Sequence, residues 1–271
     1  MKKYYTRACN FYYGKSSKKL VKQRKALPLC GNKNISFDTI EIYTRQKNRQ
    51  ITSETIKIKD IKKLKYQKKR KIILDLKKIS LKRKNFLEKI NFLEPSIMGI
   101  LNMTPDSFSD GGMYNTKKKS KDHIKNMIKN GANIIDIGGE STRPGSKEVK
   151  IADEWKRLEK VIINFKKNFK NILLSIDSRK SEIIEKSSAF GVDIINDVSG
   201  FSYDKKTLSL VKSLDKSNII HHMQGTPNTM QKNPKYFNVL LDIYDFFEKK
   251  IEEIKENQKI IIDPGIGFGK N

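Results

Sequence analysis

The stretch ILLSIDSRKSEIIEKSSAFGVDIINDV, residues 172–198, carries the architecture of this chain in miniature. An apolar run, Ile172–Ile176, ends on Asp177. A segment with helical spacing follows from Ser178 to Phe190. Gly191 then stands where a helix C-terminus needs a left-handed residue. A second apolar run, Val192–Ile195, ends on Asn196-Asp197. Strand, helix and strand in this order predict a βαβ unit with parallel strands.

The same grammar extends in both directions. Further apolar runs occur at Ile97–Leu101, Asn133–Ile137, Asn218–Ile220 and Ile260–Ile262. Helix-spaced segments separate them at Lys117–Lys129, Ala152–Phe169, Lys205–Leu214 and Tyr236–Glu256. Each run meets polar residues near its C-terminal end: Asn102, Asp136, Asp177, Asn196-Asp197, His221-His222 and Asp263. An open doubly wound sheet gathers ligands at one switch point. In a (β/α)₈ TIM barrel every strand end faces the same mouth. Polar residues at all six ends therefore predict the barrel, an α/β fold. A barrel takes about 250 residues, so one starting at Ile97 would run to about residue 345. Residues 97–271 are accordingly expected to supply the first six βα units of a longer domain. Residues 1–271 alone are expected to be poorly soluble and inactive.

Residues 1–96 read differently. The chain has 57 Lys+Arg against 30 Asp+Glu, a formal charge of +27, and 37% apolar residues, enough for a sizeable core. Residues 1–96 hold 28 of the basic and 7 of the acidic residues, a net of +21; residues 97–271 hold 29 and 23, a net of +6. Two strand-like stretches, Ile35–Tyr43 and Ile51–Ile61, precede a lysine-rich stretch, Lys62–Lys89. The expectation is a small basic α+β N-terminal segment with a connector ending near Pro95. No aromatic-interleaved RNA-binding signature or zinc-finger spacing accompanies the charge, which argues against a nucleic-acid partner. No apolar run reaches the ~18 residues of a membrane span. Cys9 and Cys30 make neither a disulfide framework nor a zinc site, and a reducing cytoplasm is the expected compartment.

The strand ends open into distinctive loops: Asn102-Met103-Thr104-Pro105-Asp106-Ser107-Phe108-Ser109-Asp110-Gly111-Gly112, and Gly138-Gly139-Glu140-Ser141-Thr142-Arg143-Pro144-Gly145. Ser175-Ile176-Asp177-Ser178, Ile195-Asn196-Asp197-Val198, His222-Met223-Gln224-Gly225-Thr226-Pro227 and Asp263-Pro264-Gly265-Ile266-Gly267-Phe268-Gly269-Lys270 follow. In this order and spacing, residues 97–271 resemble the dihydropteroate synthases. The resemblance implies joining of 6-hydroxymethyl-7,8-dihydropterin diphosphate to p-aminobenzoate in folate biosynthesis, two small-molecule substrates, Mg²⁺ and, as is common in the family, a homodimer. It further implies that Asp177, Asn196 and Asp263 bind the pterin and that Thr142 and Arg143 contact substrate, Arg143 through phosphate oxygens. Asn102 would be the magnesium ligand, and Met223 and Phe268 would line the substrate slots. Asp177 and Arg143 would carry catalysis. No Arg-x-His pair occurs in this sequence, and its one Ser-Arg-Lys triplet, Ser178-Arg179-Lys180, follows the third apolar run and not a later strand as in the family.

The residues themselves leave plainer readings open. Asp177 could be a helix N-cap for Ser178 onward. Met223 could be packing and Phe268 an exposed loop residue. Asp136 reads best as a brace for the loops. His221 and His222 are adjacent on a strand and so point to opposite faces, one of them toward core or helix. Two other functions fit parts of the pattern: a pterin-binding methyltransferase domain on the same barrel, against which the first two loops speak, and a non-catalytic relative using the basic N-terminal segment.

Overall fold

A computed structural model describes residues 2–104, 117–141, 146, 148–254 and 259–270. The chain divides into two compact units, Met1–Asn85 and Phe86–Asn271.

In the first unit β1 (Lys3–Tyr13), β2 (Leu27–Leu29), β3 (Asn32–Arg45) and β4 (Ile51–Lys57) form an antiparallel sheet. The central β3 pairs with β1 along one side and with β2 and β4 along the other. Helix α1 (Gly14–Lys22) links β1 to β2, and a 3₁₀ turn (Ile58–Lys63) leads from β4 to α2 (Tyr66–Ser80). The second expected strand thus stops at Lys57 and its last residues turn. The stretch read as a connector contains a full helix. Ile72 and Leu76, four apart on one face, pack with Phe37, Ile40, Ile42 and Ile61 into a core of their own. Asp75 on α2 is fixed by the Thr6 hydroxyl at 2.8 Å and the Lys71 ammonium at 2.5 Å.

In the second unit β5 (Ile97–Asn102), β6 (Ala132–Gly138), β7 (Leu173–Asp177), β8 (Ile194–Asp197), β9 (Ser217–His221) and β10 (Lys259–Asp263) alternate with α3 (Lys117–Lys129), α4 (Ile151–Asn168), α5 (Ser181–Ser188), α6 (Thr207–Ser213) and α7 (Val239–Ile254). The strands are parallel and neighbour one another in chain order. A doubly wound sheet would reverse its order at a switch point. Winding without reversal makes this the wall of a (β/α)₈ barrel, six units long.

Period-two alternation assigns the faces. Ile135, Ile137, Leu174, Ile176, Ile195 and Ile220 join the helices in the outer core. The alternate residues Ile134, Leu173, Ile194 and Ile219 turn inward and close on Leu87 and Ile90, with Phe86, Met98 and Ile261 packed around them. Leu87 and Ile90 are both 5% exposed and lie at the N-terminal end of the barrel, where burial of each stabilises by about 1.5–3 kcal/mol. This explains why the units divide at Asn85/Phe86 and not at residues 96/97, where charge placed the boundary. The apolar plug belongs to the barrel although its surroundings are basic.

Candidate active site

Continuing the inward alternation toward the C-terminal ends replaces apolar side chains with polar ones. Asn102, Gly138, Asp177 and Asn196 stand in register across four strands. Gly138 leaves the wall open between its neighbours. A Cβ built there would lie 3.3 Å from Asp177 Oδ2 and 3.5 Å from Asn102 Oδ1. Asn102 and Asp177 therefore face one small gap, with Asn196 beside Asp177. These three sequence-predicted residues are brought together.

One layer deeper lies Asp136, in register with Ser175 and 3% exposed. The Asn196 amide donates to Asp136 Oδ2 at 3.1 Å. Asp136 is thus part of the pocket floor and not a brace for the loops. The available signal was its phase: Ile134, Asp136 and Gly138 share the inward face. Burial pushes the Asp136 carboxyl up from the ordinary carboxylate range. Asp177 is pushed well above it, by burial first and then by the charges of Asp136, Asp197, Glu154 and Glu140. Asp197, which points outward, is raised by burial to about 6 while accepting backbone N–H groups from Ser199 at 2.7 Å and Phe201 at 3.1 Å.

Asp263 and His221 form the next inward pair, aligned between β10 and β9. Asp263 is exposed at the mouth and accepts the Gly265 N–H at 2.8 Å. The half-buried Phe268 ring lies edge-on to His221, with centroids 4.6 Å apart. His222 faces outward and packs against Phe246 and Phe247 of α7. The adjacent histidines thus take opposite faces, and burial lowers His222 to about 4. Gly265, at φ +65°, must be glycine, because a Cβ would overlap the His222 carbonyl and the His221 ring. The Lys270 ammonium ties this loop down, donating to the carbonyls of His222 at 2.9 Å and Phe268 at 2.8 Å. Met223 is half-buried just beyond β9. Thr142 and Arg143 lie outside the described residues.

Sequence reasoning missed a buried ion network beside the site. Lys180, 4% exposed, donates to Glu140, to Glu154 Oε2 at 2.6 Å and to the Val149 carbonyl at 2.7 Å. The Ser178 hydroxyl donates to Glu154 Oε1 at 2.8 Å, and Arg179 to Glu140 Oε1 at 2.5 Å while stacking 3.9 Å over the Tyr203 ring. Glu140, two residues before Thr142, is thereby anchored to the loop that follows Asp177.

A barrel wall whose strand ends converge on carboxylates and a carboxamide defines a small-molecule binding protein of the α/β barrel class. Residues 98–271 match the sequence profile of a family described as pterin binding enzyme, and the chain belongs to that family. It is 40% identical over 186 residues to the dihydropteroate synthase of Escherichia coli K12, covering 67% of this chain and 65% of that protein. The Yersinia pestis dihydropteroate synthase, solved with a sulfonamide drug complex, superposes with a TM-score of 0.63 at 39% identity, covering 67% of each chain. The Burkholderia cenocepacia dihydropteroate synthase complexed with 7,8-dihydropteroate gives 0.58 at 33% identity over 67% of this chain and 62% of that one. The chain thus spans about two thirds of the length of these relatives. No described helix is long and apolar enough to cross a membrane.

Proposed function

We propose that this protein is a dihydropteroate synthase, condensing 6-hydroxymethyl-7,8-dihydropterin diphosphate with p-aminobenzoate to give 7,8-dihydropteroate and diphosphate. The observation that carries the reading is the in-register row Asn102–Gly138–Asp177–Asn196 above the buried Asp136, in a family of pterin binding enzymes. A pterin's amide and amino edge needs carboxylate and carboxamide partners in a flat slot. Asp177 and Asn196 supply them, with Asp263 on the neighbouring inward layer.

In the reaction the bond from the exocyclic methylene to the diphosphate oxygen breaks, the diphosphate leaves with the electron pair, and the aminobenzoate nitrogen bonds to the carbon and releases one proton to solvent. Positive character develops on the methylene and ring as the bond opens. The Asp177 carboxylate, preorganised in a water-poor wall, stabilises that charge. Its pKa is raised by burial first and then by the charges of Asp136, Asp197, Glu154 and Glu140; a cationic neighbour offsets part of that shift. Arg143 holds the phosphate oxygens, Thr142 beside it contacts the substrate, and Phe268 and Met223 border the slots.

Asn102 suits Mg²⁺ through its hard amide oxygen, which faces the gap at Gly138. Among the described residues no group of three or more His, Cys, Asp or Glu is placed to hold a metal. The ion would therefore rest on Asn102, waters and substrate oxygens, as Mg²⁺ commonly does, and it would neutralise the leaving diphosphate.

The test is release of pyrophosphate dependent on p-aminobenzoate by the whole protein. Asp177→Ala should lower kcat/KM at least about a hundredfold. Near-complete retention of turnover would remove Asp177 from the mechanism, and absence of any p-aminobenzoate-dependent release from the wild type would refute the function.

A further inference from the structure

We infer that Asp136 is a specificity-determining positioning residue: it locks the Asn196 amide so that the pocket can tell a ring N–H from a ring nitrogen lone pair. The inference rests on the pterin reading and deepens it.

Asp136 lies below the ligand layer on β6, two residues before Gly138, and is almost wholly buried. One oxygen, Oδ2, accepts the Asn196 Nδ2–H at 3.1 Å, whereas Oδ1 has no hydrogen-bond partner. The buried Ser175 hydroxyl is aligned with Asp136 across the strands. A carboxylate only accepts. It therefore draws the NH₂ of Asn196 toward the barrel floor and leaves Asn196 Oδ1 on the side away from it. Beside Oδ1 stands the Asp177 carboxylate, in register with Asn196, another acceptor. A ligand atom meeting this pair must donate, and an acceptor there would face two acceptors at once. A carboxamide alone could rotate and serve either ligand. Asp136 removes that freedom, so discrimination originates in a residue that lies beneath the ligand-facing layer. A site built to hydrogen-bond one group rejects the analogue lacking it far more strongly than shape alone allows.

The dihydropterin ring supplies the probe, because reduction turns one ring nitrogen from a lone-pair acceptor into an N–H donor. Binding of 6-hydroxymethyl-7,8-dihydropterin and of oxidised 6-hydroxymethylpterin is measured by calorimetry under anaerobic conditions, each variant being first checked by thermal melting. The wild type should prefer the dihydro form by at least about tenfold. Asp136→Leu removes the acceptor at similar volume, and Asp136→Asn lets the new side chain turn its own NH₂ toward Asn196; in each the ratio should fall below about threefold. Asn196→Ala should lose the preference too, and adding Asp136→Leu to it should cost no further discrimination, since Asp136 acts through Asn196. A merely structural role would weaken both ligands alike. A folded Asp136 variant whose ratio stays within twofold of the wild type overturns the inference, as does a wild type that binds both forms equally. A wild type that binds neither form fails at the earlier step and overturns the pterin reading itself.

Discussion

Gly138 and Gly139 are adjacent, and an added methyl group would do opposite things at the two positions. At Gly138 a Cβ would sit 3.3 Å from Asp177 Oδ2, 3.4 Å from Asp177 Cβ and 3.5 Å from Asn102 Oδ1. Those are tight to ordinary contacts with side-chain ends at the barrel mouth, so the fold should accept Gly138→Ala within about 1 kcal/mol. The methyl would nonetheless occupy the gap that Asn102 and Asp177 share. A ligand held by both must then give up one contact, and loss of one charge-assisted hydrogen bond of about 1.5–3 kcal/mol weakens binding by about ten- to a hundredfold. At Gly139 the Cβ would lie 2.8 Å from Glu154 Cγ, 3.0 Å from Leu158 Cγ and 3.1 Å from the Glu154 carbonyl oxygen. Leu158 is fully buried and Glu154 is fixed by Lys180 and Ser178, so neither can yield freely. Gly139→Ala should cost about 1–3 kcal/mol of stability through overpacking. Urea denaturation and calorimetric titration with 6-hydroxymethyl-7,8-dihydropterin diphosphate and Mg²⁺, run on both variants, separate the two effects. Gly138→Ala with unchanged affinity would refute the placement of the site, because no ligand could then fill the space between Asn102 and Asp177. Loss of stability at Gly138 equal to that at Gly139 would refute the division between an open mouth and a packed core.

Two further perturbations test the supports of the site. Lys180→Met leaves Glu154 buried without its cation and Glu140 with Arg179 alone, so urea denaturation should show a loss of about 3–5 kcal/mol. His222 titrates at about 4 when folded against the ordinary 6.5, so the unfolded chain binds more protons between those values and stability falls as pH drops through that window. Over the full interval the loss is about 3 kcal/mol; His222→Phe should flatten this acid limb in denaturation curves taken from pH 7 to 4, and an unchanged limb would show that another group causes it.

The six strands of the barrel were legible because each is a short apolar run closed by a polar residue, and both faces of a barrel strand are covered. Asp177, Asn196 and Asn102 were legible as strand-end residues, and the register joins them without any long-range guess. Asp136 was misread because a polar residue inside an apolar run looks like a local exception. Only the alternation of Ile134, Asp136 and Gly138 against Ile135 and Ile137 reveals that it points into the barrel. The Lys180 network had no local signal, since Lys180 lies 40 residues from Glu140 and 26 from Glu154. In the first unit, β1 reads KYYTRACNFYY, whose mixed polar and aromatic order shows no clean alternation. Helix α2 was hidden by lysine, although Ile72 and Leu76 alone suffice to fix it to the sheet.

The charge arrangement at the mouth has one consequence for the reaction as proposed. The described cations around the strand ends are committed to the protein: Lys180 to two glutamates, Arg179 to Glu140 and the Tyr203 ring, Lys270 to two backbone carbonyls. The ligand-facing groups Asp177, Asp263 and the Asn196 oxygen accept hydrogen bonds, and Asp136 accepts from below. Such a floor repels an anion; burial raises both Asp177 and Asp136, and the neighbouring carboxylates raise Asp177 further. In the proposed reaction the diphosphate would instead be met by Arg143 and by magnesium at Asn102. The ring, seated on acceptors, is the part of the substrate on which positive charge is stabilised. Separating the two charges of the breaking bond between these two regions favours the opened bond over the intact one, which is the differential stabilisation that catalysis requires.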